Sequence, residues 1–313
     1  MAVTVTRRSW LRMFVVGLVL WVLSVVVTYL TGNANLIPTV VLLGSFLVPV
    51  TFVAWAFERR DSGEITAELV FRTFVVGGVL GVIGASVLES YLLHPSVALY
   101  LWVGAIEEAV KLVALALLTR HLTVKSMRDG MILGAVVGFG FSAFESAGYA
   151  LTSLFTPRGL SLENLVTTEL LRGLLAPVGH GLWTAILGGV LFAFSTRNHF
   201  VITGRLVASL IGVSLLHALW DSMPMISNVI TLLLTGSPWQ YELMMRGYVP
   251  EPTDTQVAVY TVANWVGLAV VSLIGLLWLH SLVKQSRVER HRAAPSRAYR
   301  VATTRRPPVG SEF

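Results

Sequence analysis

Tyr100-Leu101-Trp102-Val103-Gly104-Ala105-Ile106-Glu107-Glu108-Ala109-Val110-Lys111-Leu112-Val113-Ala114-Leu115 is an apolar run interrupted by two adjacent carboxylates and an ammonium. With its apolar flanks it is long enough to cross a bilayer at about 1.5 Å of rise per residue. Each ionised group at the middle of such a helix costs roughly 2.5–3.5 kcal/mol on insertion scales. Three of them together, Glu107, Glu108 and Lys111, mark a functional site inside a membrane.

The surrounding chain has the composition to match. Of its 313 residues, 55% are hydrophobic and 13% charged, against roughly 25% charged in a soluble domain. The absence of cysteine excludes disulfides, thiolate catalysis and Cys-ligated zinc. Apolar runs at Met13–Thr31, Leu36–Phe57, Val70–Leu93, Val97–Thr119, Met131–Leu154, Leu174–Phe194, Leu206–Met223 and Val257–Leu282 predict an all-α bundle of about eight transmembrane helices. Met225–Leu234 is too short to cross and either extends the seventh helix past Pro224 or lies at the surface.

The net charge of +6 is a matter of orientation rather than of nucleic-acid binding, because the basic residues flank the spans. About eight of the 23 lie between Lys284 and Arg306. With a cytoplasmic start, one side of the membrane collects Arg7, Arg8, Arg12, Arg59, Arg60, Arg72, Arg120, Lys125, Arg128, Arg197, Arg205 and that tail. The other side collects only Arg158, Arg172 and Arg246. The asymmetry predicts a multi-pass membrane protein with both termini cytoplasmic. Residues 1–285 read as one transmembrane domain with its motifs between 97 and 225, and 286–313 as a basic tail without fixed structure. Two outer loops are long. Phe155–Gly173 holds an amphipathic segment, Leu160 to Val166, expected to lie on the interface. Gly236–Thr255, with Trp239, Tyr241, Met244 and Met245, is either a lid over substrate or a solvated loop with interfacial aromatics.

Four successive spans carry polar groups at depth. The fourth has Glu107, Glu108 and Lys111, the fifth Glu145, the sixth His180, and the seventh His217 and Asp221. Counted inward from the outer end, Glu107 lies about ten residues deep, roughly 15 Å, and the others fall between there and the surface. One cavity opening outward is therefore expected to gather them. Glu89 lies near the outer end of the third span. Glu107 and Lys111 are four apart and Glu108 and Lys111 three apart, so either carboxylate can reach the ammonium while its neighbour, about 100° around the helix, points elsewhere. Spacing does not choose between them. Asp221, one turn from His217, either orients that imidazole, joins the ligands or caps the site. Trp183, Trp220 and Phe141 read as packing.

Two chemistries suit this set. In one, Glu145, His180 and His217 bind zinc as a His₂Glu set and Glu107 or Glu108 is the general base. In the other, a glutamate activates water directly and the imidazoles stabilise the oxyanion. Both are hydrolytic. A non-catalytic membrane scaffold or chaperone, and a proton-coupled transporter using the buried acids as a relay, are the readings from other classes.

At these residues the chain resembles the PrsW family of bacterial intramembrane proteases. The family's ordered pattern stands here as Glu107-Glu108-Ala109-Val110-Lys111, Phe141 to Glu145, His180, and His217 to Asp221, over about residues 97–225. The CAAX prenyl endopeptidases and the scaffold subunit of gamma-secretase are similar more distantly; the former look metal-free, and the latter is not a catalyst. The resemblance implies an endopeptidase of the bacterial inner membrane that cleaves a single-span membrane protein, such as an anti-sigma factor, on its extracytoplasmic side; it does not decide zinc, which is the expected cofactor. In that expectation Glu107, Glu108, Lys111 and Asp221 are catalytic and Glu145, His180 and His217 hold the metal. The oligomeric state is left open.

Overall fold

Helix α5 (Met127–Leu154) is the axis of the bundle: it packs against five other long helices and against α6. In this computed structural model the described residues are 9–60, 63–123, 125–196 and 199–304, with side chains described as far as Val288. Along the chain, α1 (Ser9–Thr31), α2 (Ile37–Phe57), α3 (Ala67–Leu92) and α4 (Leu99–Thr119) precede α5. A two-stranded turn, β1 (Phe155–Thr156) against β2 (Gly159–Leu160), leads to α6 (Leu162–Leu175). Then come α7 (His180–Ala193), α8 (Gly204–Thr235), the short α9 (Pro238–Met245) and α10 (Asp254–Thr304).

Local chemistry sets several helix starts. Thr66, Ser126, Ser161 and Thr203 each accept a hydrogen bond from the backbone N–H three residues on, which satisfies one orphan donor of α3, α5, α6 and α8. Apolar side chains along α1, such as Val19, Leu20 and Leu23, are exposed, as they are on the outer faces of α8 and α10. In water that surface would be a large association patch; against lipid tails it is the expected exterior. Among the described residues, seven helical stretches are long and apolar enough to cross a membrane. The 21-residue α4, with its three charges, is the eighth by length. The chain is a multi-pass helical membrane protein.

Two features depart from the sequence expectation. The sixth span, expected as one helix over Leu174–Phe194, is broken by a 3-10 turn at Ala176–Val178. Pro177 lacks an N–H and Gly179 takes a non-helical conformation (φ −103°, ψ −130°), so α7 restarts at His180. Secondly, α6 is not set apart on an interface. It packs on α2 and α5, with Leu165 and Glu169 buried. Of the two courses open to Met225–Leu234 the chain takes the first: α8 continues through Pro224 to Thr235, so His217 and Asp221 sit in mid-helix. The loop after α8 is partly helical: α9 is fixed by a Ser237–Gln240 capping box and by Gln240 paired with Gln256 of α10. The expected unstructured tail over 286–313 falls partly on the last turns of α10 and partly on 305–313, which, like Arg7, Arg8 and Arg197, lie outside the described residues.

The contact that matters most for the site is α5 against α7. Gly130, Gly134 and Gly138 stand four apart on one face of α5, and the backbone carbonyls of Gly188, Thr184 and His180 lie against them. A Cβ at any of the three would collide with those oxygens, so small residues let the two backbones touch. Because Gly138 meets the His180 backbone, this contact also sets the height of His180. Gly134→Val is expected to destabilise the fold by about 1–3 kcal/mol through overpacking. Thermal unfolding in detergent should show the lowered Tm, while Gly148→Ala, where nothing stands within 4 Å, should not lower it.

Candidate active site

On α4 the one-turn spacing places Lys111 under both glutamates. Its ammonium is fully buried and lies 2.6 Å from Glu108 Oε1 and 3.3 Å from Glu107 Oε2. It also donates to His180 Nδ1 at 2.8 Å and sits over the Phe141 ring, 4.1 Å from its centre. The two glutamates diverge as their helical positions require. Glu108 is fully buried, its Oε1 facing Lys111 and, at 3.0 Å, His217 Nδ1. Glu107 turns to the cavity.

The other helices supply the remaining groups. From α8, His217 directs Nε2 toward Asp221 Oδ2 at 3.3 Å and Glu107 Oε2 at 3.8 Å. From the start of α7, His180 places Nε2 3.0 Å from Glu145 Oε2 and Nδ1 3.8 Å from Glu107 Oε2. The two imidazoles pack edge to face with centres 5.0 Å apart, and Trp183 lies against both. All seven residues singled out in the sequence therefore meet in one hydrogen-bonded and ion-paired network. Trp183, Trp220 and Phe141 do pack, and they also line the cavity.

The cavity is about 510 Å³ and is lined from α3, α4, α5, α6, α7 and α8. Two of its charged walls come from outside the motif set. Arg172 of α6 ion-pairs with Glu145, donates to Ser146 Oγ at 2.7 Å and stacks 4.3 Å over Tyr149. In the sequence it read as an outer-loop cation; a lone arginine inside the apolar part of α6 was the available signal. Glu89, from the last turns of α3, lines the cavity too.

One carboxylate and the two imidazoles lie closest together. Glu107, His180 and His217 each offer a ligand atom, all within 4.8 Å of one another. Glu145 stands outside this group, held by Arg172 and by the far nitrogen of His180. Two imidazoles and a carboxylate are suitable zinc donors. Each imidazole has its other nitrogen on a carboxylate, His217 on Glu108 and His180 on Glu145. That is the outer support that fixes ligating histidines, so the residues present fit a metal.

Acids and imidazoles converging on a cavity inside a helical membrane bundle define an enzyme that works within the bilayer. The chain belongs to the PrsW family: the family model, described as PrsW family intramembrane metalloprotease, matches residues 66–249, more than half of the chain. The protein is an intramembrane protease. The match is wider than the motif-bearing stretch 97–225 and takes in α3. The chain is also 25% identical over 189 residues to Protease PrsW of Halalkalibacterium halodurans, a span covering 58% of this chain and 82% of that protein. No solved structure matches it significantly.

Arg172 holds Glu145 against His180. Arg172→Gln should lower cleavage of a membrane substrate about 10–100-fold, the usual cost of losing an outer support. Assay in proteoliposomes should find part of the loss restored in Arg172→Lys, which keeps the charge but not the two-point grip on Glu145 and Ser146.

Proposed function

We propose that the protein hydrolyses a peptide bond of a single-span membrane protein, such as an anti-sigma factor, at the outer side of the bacterial cell membrane, with both termini cytoplasmic. The observation that carries the hydrolytic step is the close group of Glu107, His180 and His217, the first two of which line the cavity. The uneven distribution of basic residues about the spans supports the orientation.

Zinc held by Glu107, His180 and His217 would supply Lewis acidity toward water and the scissile carbonyl. The chain's own groups do the rest. Glu145 lines the cavity beside His180; in this reading it takes a proton from the attacking water and returns it to the leaving amine. Arg172 keeps that carboxylate aimed. Glu108 holds His217 through Nδ1, Asp221 lies beside the Nε2 that the metal would take, and Lys111 neutralises the glutamate pair. Phe141, Trp183 and Trp220 wall the site with apolar surface, which strengthens every charge interaction within it. The substrate enters as an extended peptide, since a helix hides its carbonyls in its own hydrogen bonds.

One observation favours a second reading. The Lys111 ammonium already binds the His180 Nδ1 lone pair and a Glu107 oxygen, two of the three groups a metal would take. Glu107, the cavity-facing member of its pair, is then the base toward water, and the imidazoles stabilise the oxyanion.

Glu107→Gln, His180→Ala and His217→Ala are each expected to abolish cleavage while the protein stays in the membrane. Elemental analysis of purified wild type should find stoichiometric zinc, and His180→Ala should lose it. Activity that survives chelation in protein without bound metal would select the second reading. Wild-type cleavage by any one variant would remove that group from the mechanism.

A further inference from the structure

Four carboxylates line the cavity: Glu89, Glu107, Glu145 and Asp221. Three of them have partners of opposite charge or hydrogen-bond donors within the protein. Glu107 has Lys111, Glu145 has Arg172 and His180, and Asp221 has His217. Glu89 is different. Its Oε1 is shielded from solvent and accepts no hydrogen bond among the described residues. Glu89 also stands outside the metal-binding group, so an ion there leaves it unmatched. A shielded carboxylate oxygen without a donor is costly, more so when charged. It stands on a wall where water or an incoming molecule can supply what the protein does not. Val82, Ala85, Ser86 and Glu89 form one stripe of α3 facing the cavity, and α3 lies within the matched family region.

Resting on the protease reading above, we propose that Glu89 is a specificity residue that receives a lysine or arginine side chain of the substrate close to the scissile bond. Every peptide substrate brings backbone N–H groups, so these would not discriminate. A cationic side chain brings both the missing donor and the missing charge, and such charge-assisted bonds are roughly twice as strong as neutral ones. Residues of a single-span protein that leave the hydrocarbon region are where long basic side chains are best tolerated. The position of Glu89, three residues before the end of α3 at Leu92, is suited to meeting one there.

The test uses full-length protein in proteoliposomes with a parent single-span peptide that it cleaves. Each position flanking the scissile bond is made lysine or norleucine in turn, and kcat/KM is measured for each pair. At one position wild type should prefer lysine about tenfold or more, the range expected for a hydrogen bond to a charged group. Glu89→Gln should bring that ratio close to one, and Glu89→Lys should turn the preference toward a glutamate-bearing peptide. A structural role would lower both rates and preserve the ratio, which would overturn the proposal. So would a wild type without lysine preference at any position. If wild type cleaves no membrane peptide at all, the protease reading fails first and the inference falls with it.

Discussion

The ammonium of Lys111 is what lets two adjacent carboxylates exist inside this bundle. Glu108 and Lys111 are fully buried, where an unpaired ion would cost several kcal/mol even after relaxation. Together, at 2.6 Å, they form a pair whose removal of one partner typically costs about 3–5 kcal/mol. Such a pair adds little net stability over an apolar core of the same shape. Its consequence here is positional: it fixes α4 in rotation, so that Glu107 faces the cavity and His217 and His180 are drawn in from α8 and α7.

The bundle then has to bring those two helices close enough. Glycines on α5 let α7 approach until backbones touch, and the break at Pro177–Gly179 lets His180 begin a helix at the level of Glu107. On the other side, Gly104 of α4 lies against the backbone of α8 at Ser214 and Ala218. Close backbone contact at both seams is what brings imidazoles on α7 and α8 within reach of acids on α4. Larger residues at either seam would leave the same side chains present but out of hydrogen-bond range.

How much of this was legible in the sequence differs by feature. Eight helices were, because membrane spans need long apolar runs and basic residues collect at their ends. The seven motif residues were legible too, since an ion in an apolar run stands out. Their grouping was not. Depth along a span is read from residue number, whereas the direction of a carboxylate depends on helix rotation and on partners from elsewhere. So Glu145 was grouped with the histidines in the sequence, while in the structure it ion-pairs with Arg172 of α6 and Glu107 is the carboxylate that lies close to both imidazoles. The break before His180 was foreshadowed by Pro177 and Gly179, but hydropathy runs straight across it. Hydropathy left open whether the seventh helix stops at Pro224, and α8 passes through it, because a helix flanked by neighbours tolerates one missing N–H.

The division of labour between Glu107 and Glu108 follows from the same geometry. Consecutive residues on a helix point about 100° apart, so one sequence motif can serve two environments at once. Glu108 is committed to Lys111 and His217 inside the protein. With no exposure to the cavity, it is out of reach of a water or a peptide there. Glu107 shares the ammonium more loosely, at 3.3 Å, and keeps its carboxylate at the cavity wall. A lone glutamate facing that cavity would bring an uncompensated charge into the membrane. The doubled glutamate with its lysine neutralises that charge in the core and leaves one acid free for chemistry, which explains why the motif needs all three ionisable residues.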